Sequence, residues 1–115
     1  MKSREELNQE LRQEILALGG VKERPNAGIH EDAFFVGPTM FMNIHGYRHC
    51  DIRLPKEDQA RALAEGKARP HRWAPEAGYV TSIVHDEKDL ASAMDLIRVS
   101  HRYFATNQKA PHAEH

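Results

Sequence analysis

Two runs of alternating residues, separated by a turn, lie near the middle of the chain. In residues 40–45 an apolar residue occupies every second position, and residues 49–54 show the same period. A period of two is typical of strands that are buried on one face. The segment between the runs, Gly46-Tyr47-Arg48, has the composition of a turn. The pattern therefore predicts a β-hairpin.

The register of this hairpin follows from which residues must share a face. Directly opposite residues of an antiparallel pair lie on the same face. A three-residue turn pairs Ile44 with Cys50 and Asn43 with Asp51, whereas a two-residue turn would mix apolar with polar positions. We therefore expect the three-residue turn. The face predicted to contact the core contains Met40, Met42, Ile44, Cys50, Ile52 and Leu54. The face predicted to stay open to solvent contains Phe41, Asn43, His45, His49, Asp51 and Arg53.

The rest of the chain predicts three helices and two further strands. Helices are predicted at residues 4–18, 56–65 and 87–105, and strands at residues 33–37 and 79–85. Ser3 and Glu6 form the capping-box pattern at the start of the first helix. Ala60, Leu63 and Ala64 are expected to face the core from the second helix.

This order of elements predicts an α+β fold. The expected architecture is a single two-layer domain, an antiparallel sheet of about four to five strands with about three helices mainly on one face. A chain of 115 residues is long enough for one domain and too short for two. We expect this domain to span residues 1–106. The polar residues 107–115 are expected to form a flexible tail.

Composition and charge narrow the possible functions. The net charge of −1 with neutral histidine does not favour nucleic-acid binding, which needs clustered Lys and Arg. A local basic patch would have to come from Arg48, Arg53, Arg69 and Arg72. The single cysteine, Cys50, is typical of a reducing compartment. The sequence contains no signal peptide, and none of its apolar runs approaches the ~20 residues that a membrane span needs. We therefore expect a cytoplasmic protein with no membrane partner.

Three segments carry a resemblance to a known family. PTMFMNIHGYRHCDIRLP, PHRWAPEAGYVTSIV and DLIRVSHRYF resemble the small luciferase-like domain family of uncharacterised bacterial and fungal proteins. The residues that match its pattern are His45, Asp51, Arg53, Leu54, Pro55, His71, Gly78, Val80, Thr81 and Ser100. The chain departs from the pattern at Met40, at Asn43, where the family has a histidine, and at Tyr79. The resemblance implies no particular reaction, and nothing in the chain suggests flavin or luciferin binding. The element order is also similar to MmcQ/YjbR-like domains, whose fold has been likened to DNA-binding proteins.

A candidate ligand site lies on the polar face of the hairpin. His45, Asp51 and Arg53 share this face by parity. The loop at residues 67–78 must pass a sheet edge to join its helix to the next strand, so His71 and Trp73 can fold over the same face. Trp73 would stack on a planar ligand, or would instead close the edge of the core. Four of these positions also match the family pattern.

Three functions remain open. The favoured one is a small-ligand or protein-binding module at His45, Asp51, Arg53, His71 and Trp73. The second is a metal-assisted or histidine-based enzyme at the same place. The third is nucleic-acid binding, by analogy with the YjbR-like fold.

The enzyme hypothesis depends on histidine chemistry. His45, His49 and His71 could bind a divalent metal such as Zn²⁺, although solvated polar residues on an open sheet face are the simpler explanation of these histidines. Cys50 lies on the predicted core face and is expected to be a packing residue, not a nucleophile. The chain contains no recognisable catalytic motif, and the sequence names no cofactor, partner or oligomeric state.

Overall fold

The computed structural model describes residues 2–26, 31–46, 49–71 and 78–107. Along these ranges the elements are α1 (Arg4–Leu16), β1 (Val21–Asn26), β2 (Glu31–Val36), β3 (Thr39–His45), β4 (His49–Arg53), α2 (Lys56–Ala64), β5 (Arg69–Pro70), β6 (Tyr79–Ile83) and α3 (Glu87–Asn107).

The strands form one antiparallel sheet in the order β1-β2-β3-β4-β6-β5. The described residues therefore contain six strands, more than the four to five predicted. The additional strands are β1 and the two-residue β5. Helices α1 and α3 contact each other, and all three helices contribute residues to the same apolar core as the central strands. The predicted single α+β domain is confirmed.

The predicted hairpin register is confirmed. Met42 pairs with Ile52, Asn43 with Asp51, Ile44 with Cys50, and His45 with His49. The four apolar members of these pairs are fully buried and belong to the core that α3 covers. The alternation and the parity of a three-residue turn were therefore sufficient to orient both strands.

The alternation breaks earlier in β3, where the pairing with β2 shifts. Phe34 pairs with Met42 but Phe35 pairs with Met40, which leaves Phe41 as an extra residue. Phe41 is fully buried, and its ring centroid lies 5.7 Å from that of His101 on α3. The expectation that Met40 faces the core and Phe41 the open face is therefore wrong, because a bulge changes which residues share a face.

The start of α1 agrees with the sequence, whereas the predicted inward face of α2 does not. Ser3 and Glu6 form the predicted capping box, and the backbone hydrogen bond from Ser3 lowers the pKa of the Glu6 carboxyl. In α2, however, the buried residue is Ala62, while Leu63 is 39% exposed. The predicted inward face of α2 is wrong, because this short helix carries small or apolar residues on several sides and periodicity cannot select one.

No helix within the described ranges is both long enough and apolar enough to span a membrane. Helix α3 ends at Asn107. The remainder of the predicted tail lies outside the described residues, so its boundary and flexibility stay predictions, as does the cytoplasmic location.

Candidate functional site

A carboxylate lies buried in the middle of the sheet. Asp51 is only 4% exposed, and on β4 it stands between Asn43 of β3 and Thr81 of β6. Thr81 Oγ1 donates a hydrogen bond of 2.7 Å to Asp51 Oδ1. The second oxygen, Oδ2, lies 3.1 Å from Nε2 of His45 and 3.5 Å from Nε2 of His71.

These side chains are assembled by strand register. Asn43, Asp51 and Thr81 form one row across three neighbouring strands, and directly opposite residues share a face. His45 lies two residues beyond Asn43 on β3, which keeps it on that face. His71 follows β5, at the sheet edge beyond β6. We call these five residues the Asp51 cluster.

Burial makes the hydrogen bonds of the cluster energetically important. Removing a carboxylate from water is costly unless it is paired and hydrogen-bonded. Thr81 supplies a hydrogen bond to Asp51, and the imidazoles of His45 and His71 supply ion-pair partners when they are protonated. The expectation that Asn43 and Asp51 lie on a face open to solvent is wrong, because both are less than one-tenth exposed.

The histidine rings are oriented by the carboxylate they share. Each ring places Nε2 within 3.5 Å of Asp51 Oδ2, so a protonated imidazole forms an ion pair with the carboxylate. The side chains of His45 and His71 are 27% and 17% exposed, so the cluster extends from the surface to the buried carboxylate.

One buried polar atom next to Asp51 accepts no hydrogen bond from the described residues. It is Oδ1 of Asn43, whose residue is 6% exposed. Asn43 is the direct cross-strand partner of Asp51. Burying an amide oxygen without a hydrogen-bond donor destabilises the folded protein. The retention of this buried, unpartnered oxygen in the site therefore needs a physical explanation.

The structure brings together three of the five predicted ligand-binding residues. His45, Asp51 and His71 meet at one carboxylate oxygen. The guanidinium carbon of Arg53 instead lies 4.8 Å from the ring centroid of Phe104 on α3, as in a cation–π contact. Trp73, with its predicted stacking role, lies outside the described residues.

The predicted metal site does not gain support from the geometry. Among the residues that the structure describes, no group of three or more His, Cys, Asp and Glu side chains could hold a metal ion. His49 is placed opposite His45 by the register, but the close partners of Asp51 are His45 and His71. Metal binding by His45, His49 and His71 therefore stays a prediction.

Two other predictions depend on residues around the cluster. Cys50 is fully buried, and this burial, with a smaller contribution from the charge of neighbouring Asp51, raises the pKa of its thiol to about 12. A thiol that holds its proton so strongly is a poor nucleophile at neutral pH. The arginine patch proposed for nucleic acid stays a prediction, because Arg48 and Arg72 lie outside the described ranges.

Comparison with known proteins assigns the chain to a family. A family model described as a Luciferase domain matches residues 38–100, which is 63 of the 115 residues. The chain belongs to the Luciferase domain family. The matched region contains all five residues of the Asp51 cluster, so the cluster is part of the family domain in this chain. No curated protein and no solved structure matches the chain. The likeness to MmcQ/YjbR-like domains stays a prediction.

Sequence reasoning missed two members of the site, Asn43 and Thr81. The register places Asn43 opposite Asp51 on the polar face, but the predicted ligand-binding set does not include it. Thr81 matched the family pattern, but nothing in the sequence showed that β6 pairs with β4. Since β5 and β6 follow a helix and a long connection, their position in the sheet depends on tertiary packing.

Proposed function

We propose that this member of the Luciferase domain family is a small-ligand-binding module whose site is the Asp51 cluster. The observation that supports it most directly is the buried Asp51 carboxylate, whose Oδ2 is shared by the imidazoles of His45 and His71. These two histidines come from distant parts of the chain, so the fold converges on this oxygen.

Fold stability alone does not account for the cluster. The apolar core lies with the helices and is complete without these side chains. A buried ionic group can often be replaced by apolar residues of similar size with no loss of stability. A carboxylate retained below two partly exposed imidazoles is better explained by recognition of a polar solute.

The proposal is tested by following the histidine ring protons by NMR. The protein is titrated separately with zinc, phosphate, acetate and n-butylammonium, at constant pH and ionic strength. We expect at least one of these ligands to shift His45 and His71 together. His85, which is exposed and precedes α3, serves as the internal control, and it should not move with acetate or n-butylammonium.

The Asp51→Asn variant provides the matched comparison. It keeps the size of the side chain but removes the charge that both rings share, so the joint shift should disappear while His85 stays unchanged. If no ligand moves His45 and His71 together in the wild-type protein, the proposed binding function is wrong.

A histidine-based enzyme is the second candidate, and the 3.1 Å contact between His45 Nε2 and Asp51 Oδ2 favours it. A carboxylate that fixes an imidazole in one tautomer makes the opposite nitrogen a directed general base. Such a base typically contributes about 10²–10⁴-fold to a rate. Hydrolysis of a panel of activated esters should therefore fall at least about 100-fold in His45→Gln. Equal rates in both proteins would eliminate this candidate.

A further inference from the structure

The unpartnered amide oxygen of Asn43 limits which chemical class of ligand the Asp51 cluster can bind. This atom is buried and receives no donor from the described residues, and it stands directly across from Asp51. The Cβ atoms of such opposite residues are about 4.5–5.5 Å apart. The side chains of Asn43 and Asp51 therefore leave the sheet on the same face at neighbouring positions.

Counting acceptors shows what this region lacks. A carboxylate has about four lone-pair positions and an amide oxygen has two. Thr81 donates to Asp51 Oδ1, and the imidazoles of His45 and His71 lie at Oδ2, while both positions on Asn43 Oδ1 remain. Acceptor positions are thus left next to a carboxylate, so the complementary group is rich in hydrogen-bond donors.

We infer that the ligand is a small primary amine, bound as its ammonium between Asn43 Oδ1 and the carboxylate of Asp51. This inference rests on the proposed binding function and specifies its ligand. An ammonium nitrogen carries three donors and can reach both acceptors at once, whereas a hydroxyl has only one donor. The positive charge also complements the carboxylate, and hydrogen bonds between charged partners are the stronger ones. An anionic ligand would place like charges together.

Three fragments with the same four-carbon chain test the head group. n-Butylammonium, n-butanol and butyrate are titrated into the wild-type protein, and the amide and histidine ring signals are followed by NMR. We expect n-butylammonium to shift the side-chain amide of Asn43 together with the rings of His45 and His71. n-Butanol should bind at least about 10-fold more weakly than n-butylammonium, because it lacks one hydrogen bond to a charged group. Butyrate should not bind at the cluster.

Two variants test the role of Asn43 itself. Asn43→Leu removes the acceptor at nearly constant size and should weaken n-butylammonium binding about 10- to 100-fold, the equivalent of one charge-assisted hydrogen bond. It should not impair folding, because it also removes an unsatisfied buried amide. Asn43→Ser keeps an acceptor oxygen without adding a charge and should retain more affinity for n-butylammonium than Asn43→Leu. Asn8→Leu, at a buried asparagine on α1, is the matched control and should leave the affinity unchanged.

The outcomes separate the inference from the function on which it rests. If zinc, phosphate or butyrate shifts His45 and His71 but n-butylammonium does not, the cluster binds a ligand and the amine assignment is wrong. The assignment is also wrong if Asn43→Leu, correctly folded by its NMR spectrum, binds n-butylammonium as tightly as the wild type. If none of these compounds shifts the two rings, both the inference and the proposed function are overturned.

Discussion

Replacing Thr81 by valine tests whether hydrogen bonds inside the Asp51 cluster hold its carboxylate in place. Valine has nearly the shape of threonine but lacks the hydroxyl that donates the 2.7 Å hydrogen bond to Asp51 Oδ1. Both residues are less than one-tenth exposed, so water cannot readily replace the lost donor. The variant therefore isolates one hydrogen bond to a buried charge.

The expected loss of folding stability can be estimated from the charge of the hydrogen-bonding partners. A hydrogen bond to a charged group contributes about 1.5–3 kcal/mol, compared with about 0.5–1.5 kcal/mol for a neutral pair. Because the shape is conserved, no cavity term is added, and we expect Thr81→Val to lower the free energy of unfolding by about 1.5–3 kcal/mol. In the Asp51→Asn background the same substitution should cost only about 0.5–1.5 kcal/mol, since the acceptor is then neutral.

Urea denaturation followed by circular dichroism measures all four proteins of this double-mutant cycle. Ser82→Ala is the control on the same strand, because Ser82 Oγ donates only a long hydrogen bond of 3.3 Å to the carbonyl oxygen of Lys67. It should cost no more than about 1 kcal/mol, as expected for a neutral pair. A cost below about 0.5 kcal/mol for Thr81→Val, with no coupling to Asp51, would refute the reasoning that burial strengthens this bond.

Two further predictions concern the core below the cluster. Ile52→Ala should lower the free energy of unfolding, measured by urea denaturation, by about 2–5 kcal/mol, because it empties a fully buried site. Leu63→Ala on the exposed side of α2 should lower it by about 1 kcal/mol. Equal losses would mean that the buried and exposed faces are misassigned. Burial raises the pKa of the Cys50 thiol to about 12 in the folded protein, against an ordinary value of 9.0. Between these pH values the thiol ionises only in the unfolded chain. The free energy of unfolding should therefore fall as the pH rises above about 9, by about 1.4 kcal/mol at pH 10. Comparing urea midpoints at pH 8 and pH 10 for the wild type and Cys50→Ala checks this, and an identical loss in both proteins would show that the thiol is not its source.

The central hairpin could be predicted from sequence because two independent signals agree there. The alternation of residues and the length of the turn both require Ile44 to pair with Cys50, as observed. A pairing shifted by one residue would have exposed one whole apolar set. Since Asn43, His45 and Asp51 follow from the same parity, the register already placed three of the five residues of the candidate site on one face.

The remainder depends on contacts between distant segments. The extra residue Phe41 arises from how β2 meets β3, and the Met-Phe-Met sequence itself gives no sign of it. Thr81 reaches Asp51 only because β6 inserts beside β4, which local periodicity cannot reveal. Burial of the row formed by Asn43, Asp51 and Thr81 follows from the same packing. A sheet face that is hydrophilic in sequence therefore need not be exposed to solvent.

The order of the strands also has a consequence for self-association. An open sheet has two edge strands whose unpaired backbone groups can recruit another chain and seed aggregation. Here the edges are β1 and β5, and each contains a proline, Pro25 or Pro70, which has no N–H to donate. Strand β5 offers only two residues, and β1 carries the consecutive charges Lys22, Glu23 and Arg24. Both edges of the sheet thus disfavour the pairing of one molecule's edge strand with that of another.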